Sequence, residues 1–226
     1  MFHFNKVKLI SHSSFVDKDK DLNLLEQIAY IARVSNPSNQ HFFLTSEKLC
    51  KYLLDNAHFS PFEMVNVVLE IETTRDISRQ ILRHRSFSFQ EFSNRYADPT
   101  ESLGFVKREC RLQHSKNRQM SVENTDSKLL DKFNKLQDEI ISIQKEMYDF
   151  CIAEGIAKEQ SRVLLSEGLI KTRLYMSGSL RSWIHYIQVR TDKNTTQREH
   201  FDVACKCAEV ISTVFPFILQ FVSKNL

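Results

Sequence analysis

Residues 81–98, ILRHRSFSFQEFSNRYAD, bring Arg83, His84, Arg85 and Arg95 together with Gln90, Glu91 and the small polar side chains Ser86, Ser88, Ser93 and Asn94. An arginine is seldom buried without a partner. Three guanidinium groups between residues 83 and 95 must therefore be solvated, paired or holding an anion. The plain reading is a solvated basic helix end, because cations near a helix C-terminus favour the macrodipole. Two features argue for more. Alternation beyond residue 86 sets Glu91, Ser93 and Arg95 on one face, an acceptor, a hydroxyl and a cationic fork suited to a polar ring or a phosphate. Beside them, Arg83 and Arg85 suit a phosphate, which carries more negative charge than a carboxylate.

Other chemistries find less support. No two of the eight histidines sit at ligand spacing with a nearby acid, so no metal site is expected. The five cysteines include no C-x-x-C pair and leave an odd one over, which suits reduced thiols in a cytoplasmic compartment. Cys205 and Cys207 in CKC read as helix residues. A net charge of +3 is too small to imply nucleic-acid binding. The N-terminal segment has no long apolar run, and no window approaches the ~18 apolar residues of a membrane span, so no membrane partner is expected.

The elements that must position these residues follow from periodicity. Few glycines and prolines in 226 residues lean toward long helices. KVKLI alternates as an opening strand, and DLNLLEQIAYIARVS is an amphipathic helix. A second helix in TSEKLCKYLLDNA has Thr45 or Ser46 as N-cap and Leu49, Tyr52 and Leu53 on its buried face. Val65, Val67, Leu69 and Ile71 share one face of a strand, after which Thr73 or Thr74 caps a helix running through RDISRQILRHR. Residues 98–125 read as a long loop. The longest helix covers 126–154, with Leu129, Phe133, Leu136, Ile140, Ile143, Met147 and Cys151 in a heptad-like stripe that is core or subunit contact. A short helix in AKEQSRVLL, a strand in LIKTRLYMS, a helix capped at Ser177 or Ser179 and a last helix with a Thr196/Glu199 capping box complete the pattern. One α/β (α+β) domain over residues 1–226 is expected.

The spacing RHR, seven residues, then Ser, with RQ before it and RY after it, resembles the signature of the flavin-dependent thymidylate synthases. ARVS at 32–35, HFSPFE at 58–63 and LRSWIHYIQVR at 180–190 follow in the order this family requires, so the resemblance runs from about residue 29 to 200. It implies a mainly antiparallel sheet flanked by long helices, with active sites at the subunit interfaces of a homotetramer. It also implies reductive methylation of dUMP to dTMP, with 5,10-methylenetetrahydrofolate as one-carbon donor and NADPH as reductant through bound FAD. No covalent enzyme nucleophile is used, so Ser93 is a hydrogen-bonding group.

Carried over residue by residue, Gln80, Arg83, Glu91, Ser93, Arg95, Arg162 and Arg190 resemble the dUMP site, with Arg190 the catalytic cation that meets charge developing on the uracil. Ser35, Ser60, Glu63, Arg83, His84, Arg85, Glu91, Ser179, Arg181 and His185 resemble the FAD site, and His58 lies by resemblance near the flavin ring or folate. At 100° per residue, Arg181 and His185 face one way on their helix and Arg190 the other. Ser179 and His185 stand where many family members carry asparagines, and the usual histidine after the last arginine is missing from TDKNTTQREH. KNRQ and TTQREH resemble a variant branch in which Asn194, Thr196 or Gln197 supplies the lost hydrogen bonds.

The rival reading is a nucleotide or single-stranded nucleic-acid binding module without catalysis, in which Phe87 and Phe89 stack bases. Glu91 and Asp98 interrupt the basic stripe it needs, so no nucleic-acid partner is expected.

Overall fold

Period-two patterning produces the sheet. In the computed structural model, which describes residues 4–16 and 21–223, strand β1 (Lys6–His12) pairs antiparallel with β2 (Asn66–Thr74). The remaining residues of the expected 1–226 domain lie outside that description. On its other edge β2 pairs antiparallel with β6 (Lys171–Ser179), and β6 with β3 (Ser88–Glu91), giving the order β1-β2-β6-β3. Val67, Leu69 and Ile71 of β2 and Leu174 and Met176 of β6 are fully buried on one face, as the alternation requires.

Helices cover that face. Asn23 and Glu26 form a capping box at the start of α1 (Leu24–Ala32), which packs on α2 (Ser46–Asp55). The inward face of α2 is Cys50, Leu53 and Leu54; Tyr52, expected inside, is 56% exposed. Thr45 holds the N-cap position without a side-chain bond to the helix, its hydroxyl accepting instead from Arg33. A left-handed Ala57 (φ 55°) turns the chain into the short α3 (Ser60–Glu63). Ser179 caps α8 (Leu180–Arg190) by accepting from the Ser182 N–H, and α8 packs against α9 (Arg198–Ser212) through Trp183, Ile184, Ile187, Val203, Cys207 and Ile211.

Three expectations need correction. Helix α4 (Arg75–Ile81) ends before RHR, because Phe87 is drawn into the core against Trp183 (ring centroids 4.8 Å) and Tyr186. A Cβ on Gly178 would lie 2.4 Å from Phe87 Cδ1, so glycine there is what lets the ring settle on β6. Residues 98–125 hold the short helix α5 (Pro99–Ser102), capped by Asp98, and a two-residue ladder between β4 (Leu112–Gln113) and β5 (Ser121–Val122) with KNRQ in its turn. Glu199 is no capping-box partner: Thr196 Oγ1 donates to the Val189 carbonyl, and Glu199 is buried against arginines.

Helix α6 (Ser127–Ala153), capped by Asp126, inverts the ordinary pattern. Its buried side chains are Gln137, Gln144 and Tyr148, whereas Leu136, Ile140, Ile143 and Met147 are about half exposed. Gln137 clamps both backbone groups of Arg108 (2.6 and 3.0 Å), and Gln144 accepts from the Ser166 N–H at 2.5 Å. The short helix α7 (Lys158–Ser161) and a 3-10 turn at Arg162–Leu164 lead from α6 back to β6. Among the described residues, no helix is long and apolar enough to cross a membrane.

Candidate active site

The turn after α4 faces the end of α8. There Arg190 Nε donates to His84 Nε2 at 2.9 Å, which requires an imidazole with a free lone pair on that nitrogen. Burial, then the charge of Arg190 and the nearby His185, push the His84 pKa down to about 4, so a neutral acceptor faces a cation. Burial also lowers the Arg190 pKa, partly offset by Tyr186 and reinforced by Arg83, which places the two guanidinium groups in each other's field. Arg83 and Arg85 are exposed and make no side-chain hydrogen bond or ion pair with the described residues. This end of the molecule therefore presents two unneutralised cations beside a half-buried one.

Behind His84 runs a polar chain. The His84 ring stands edge-on to Tyr186 (4.9 Å), whose hydroxyl lies 3.1 Å from His200 Nε2. His200 Nδ1 is 3.3 Å from Gln80 Oε1, Gln80 Nε2 donates to Gln197 Oε1 at 2.7 Å, and Gln197 Nε2 donates to Glu199 Oε2 at 3.0 Å. Arg111 meets the Glu199 carboxylate at 2.5 Å and Arg108 at 3.6 Å. Burial by itself would raise the Glu199 pKa, but the Arg111 hydrogen bond and the charges of both arginines outweigh it and the net shift is down. His200 is fully buried, and burial followed by repulsion from Arg190 and His84 holds its pKa down at about 3.

Sequence reasoning placed Gln80 at the nucleotide, yet two of its amide contacts are spent inside the protein. It missed Tyr186 and His200 altogether. Their signal was present: Tyr186 lies between the expected site residues His185 and Arg190 on α8, and His200 is a histidine inside an apolar helix pattern. The three polar residues expected of the variant segment differ in where they turn. Thr196 and Gln197 turn inward, whereas Asn194 is exposed and its backbone N–H donates to Asp192 Oδ1. KNRQ meets the residue just before TTQREH, through the Asn117 side chain on the Asn194 carbonyl at 3.0 Å.

A second patch forms at the end of β3. Glu91 Oε1 accepts from Ser78 Oγ (2.8 Å) and Thr172 Oγ1 (3.0 Å), with Arg75 and Arg79 each 3.8 Å from the carboxylate. Glu91, Ser93 and Arg95 do not share a strand face. β3 ends at Glu91, and Arg75, only 11% exposed, donates to the Phe92 carbonyl and to Asn94 Oδ1, pinning a turn there. Arg95 reaches Glu159 at 3.4 Å while Arg162 Nε donates to the Glu159 carbonyl, so Arg95 and Arg162 converge on one residue. Among the described residues, no hydrogen bond or ion pair joins this patch to Gln80, Arg83, His84 or Arg190.

The flavin-type residues form a third set. Glu63 at the end of α3 pairs with Arg181 on α8, and Ser179 Oγ lies 3.2 Å from Ser182 Oγ, which in turn donates to the Ser86 carbonyl next to RHR. Ser35, Ser60, His58 and His185 are exposed, and the His58 ring stands 6.1 Å from Tyr52. Free cations at Arg83 and Arg85, on the turn whose Ser86 carbonyl is tied to Ser182 of α8, fit an anionic cofactor with polar hydroxyls. Phe87 is buried against Trp183 and unavailable to stack on a base, which removes the main support of the nucleic-acid rival. A separate cavity of about 790 Å³ lies between the KNRQ turn and α9, where Lys193 Nζ sits 5.4 Å from the Phe201 ring centre. Cys205 is half-buried and Cys207 buried in α9, and all five thiols are free.

Residues 18–217 match the profile of the family described as thymidylate synthase complementing protein. A flavin-dependent thymidylate synthase of Synechocystis is 45% identical over 191 residues, covering 84% of this chain and 86% of the relative. The chain belongs to the flavin-dependent thymidylate synthase family. A probable flavin-dependent thymidylate synthase of Paramecium bursaria Chlorella virus 1 is 44% identical over 195 residues, 86% of this chain and 88% of the relative. In fold, the chain is similar to the UMP/dUMP methylase PolB from Streptomyces cacaoi bound with 5-Br UMP. That structure gives a TM-score of 0.75 at 22% identity over 96% of this chain and 92% of the other. Membership makes this chain a flavin-dependent enzyme of thymidylate synthesis.

Proposed function

We propose that this family member, acting in the cytoplasm as one domain over the whole chain, methylates dUMP to dTMP. It takes the one-carbon unit from 5,10-methylenetetrahydrofolate and reducing equivalents from NADPH through FAD. The observation that carries the reading is the pairing of Arg190 with His84 beside Arg83. Because His84 occupies Arg190 Nε, the terminal nitrogens remain for a ligand oxygen. A half-buried cation is worth more there than one in water when negative charge grows on a uracil ring. Arg190 is accordingly the catalytic group. FAD, when bound, supplies the hydride chemistry. Ser35, Ser60, Glu63, His84, Arg85, Ser179, Arg181 and His185 would hold it, with Arg83 and Glu91 shared with the nucleotide and His58 beside the flavin ring or folate.

Gln80, Arg83, Glu91, Ser93, Arg95 and Arg162 would bind dUMP, with Ser93 a hydrogen-bonding clamp and no enzyme nucleophile. Within one chain these residues fall on two patches, which supports a site completed by another subunit. The half-exposed stripe of α6 supports a homotetramer in which such completion occurs. The KNRQ segment, tied through Asn117 to Asn194 immediately before TTQREH, supports assignment to the variant branch.

The test is spectroscopic and then kinetic. The purified protein is expected to be yellow and its flavin spectrum to shift on adding dUMP; a preparation that takes up no flavin when given FAD overturns the reading. Arg190→Ala is expected to abolish tritium release from C5-labelled dUMP with flavin retained, and undiminished release removes Arg190 from catalysis.

A further inference from the structure

The polar chain behind His84 has a direction that its anionic end dictates. Glu199 is held as a carboxylate by Arg111 and Arg108, and a carboxylate only accepts hydrogen bonds. Gln197 must therefore donate to it through its amide nitrogen and turn its oxygen to Gln80. Gln80 in turn donates through nitrogen and presents its oxygen to His200 Nδ1. That nitrogen must carry the proton. A neutral ring then has its lone pair on Nε2, where the Tyr186 hydroxyl supplies the matching donor. Every junction is consistent with this one orientation. Reversing any amide would set donor against donor or acceptor against acceptor, in a region where His200 and Tyr186 are fully buried and an unmade bond costs about 1–3 kcal/mol.

We propose that His200 is a positioning residue for the nucleotide. As the Nδ1–H tautomer it locks the Gln80 amide oxygen inward, so that Gln80 meets the substrate as a hydrogen-bond donor only. This rests on Gln80 facing dUMP, as proposed above. A donor-only amide takes a carbonyl or phosphate oxygen and rejects a ring edge bearing an amino group. Gln80 is half-buried, so its second N–H is the polar hydrogen left over from the chain. His200 does not touch substrate in this arrangement and acts through Gln80. The surrounding charges agree with an uncharged ring: Arg190 and His84 repel a proton on it, and the acid Glu199 is three hydrogen bonds away along the chain, already neutralised by arginines.

His200→Phe keeps a ring and loses both nitrogens. In the holoenzyme it is expected to raise the KM for dUMP about tenfold, with kcat and flavin content within about twofold. His200→Asn, whose amide nitrogen stands in for Nδ1, is expected to restore most of the KM, whereas His200→Gln is not. In a Gln80→Ala background, His200→Phe is expected to add nothing. Multiplying effects, or a loss in kcat with unchanged KM, overturn the proposal. If Gln80→Ala leaves the KM for dUMP unchanged, Gln80 does not face the nucleotide and the proposal falls, while dUMP methylation stands so long as turnover persists. Where variants do not fold, 15N-histidine NMR of the wild-type holoenzyme decides: two neutral Nδ1–H rings, His84 and His200, should resist titration between about pH 8 and 5. A His200 ring that titrates in that range, or carries its proton on Nε2, overturns it.

Discussion

Helix α6 and the α8–α9 pair bury opposite kinds of side chain. The pair packs Trp183, Ile184, Ile187, Val203, Cys207 and Ile211 into the main core and keeps its polar groups for the ends, where Arg190 and His200 lie. Helix α6 turns Gln137, Gln144 and Tyr148 inward and leaves Leu136, Ile140, Ile143 and Met147 half exposed. Glutamine clamps on backbone fix where a helix sits, but each contributes only about 1 kcal/mol net. Apolar burial supplies most of the stability of the pair; α6 keeps its apolar surface in reserve. The difference separates the two regions: one builds the core and its polar chain, the other leaves an apolar face half exposed, the face that the proposed homotetramer would cover.

The strongest way to break that comparison is to charge the stripe. Ile140→Asp with Ile143→Asp is expected to leave the helical circular dichroism intact, shift sedimentation to a smaller species and cut turnover by about 100-fold through misplacement of shared site residues. Unchanged sedimentation and activity would mean that the stripe is not a contact. Next in size, Ile187→Ala in the core should cost about 2–5 kcal/mol in denaturant unfolding. Its counterpart Ile143→Ala should change the stability of the dissociated subunit by no more than about 0.5 kcal/mol.

Acid separates the regions as well. His84 and His200 have folded pKa values near 4 and 3, below the ~6.5 of an unfolded histidine. The unfolded chain then binds more protons, so stability should fall as pH drops from about 6.5 toward 4, and thermal midpoints should show it. Glu199, with its pKa lowered, adds a loss at the acid end as it protonates. His200→Asn is expected to flatten the curve. Tyr148, pushed up to about 12 by burial and the nearby Asp98 and Asp149, is silent in that window, so α6 contributes nothing from its buried face.

The smallest pair of effects uses glycine. Gly178→Ala drives a Cβ into Phe87 and should cost about 1–3 kcal/mol while raising the KM for dUMP, since Phe87 anchors the turn carrying Arg83 and His84. Gly168→Ala, on the α6 side with nothing within 4 Å, should be neutral within about 0.5 kcal/mol; equal losses would show that close approach is not what Gly178 provides.

Strands β2 and β6, the helices α1, α6, α8 and α9, and the RHR and HFSPFE motifs were legible in order along the chain, because period and cap residues are local properties. The turn after β3 was not, since it is set by Arg75, some twenty residues upstream, gripping Phe92 and Asn94. Gln80 could be singled out from the motif, but its partners His200 and Gln197 lie more than a hundred residues away. By itself the sequence determined which residues could do chemistry and which spacings make helix or strand. Only the tertiary structure decided which way each polar group turns. That choice depends on what else is buried beside it: an amide faces a histidine because a distant carboxylate leaves it no other orientation, and an apolar stripe is core on one helix and half exposed on another.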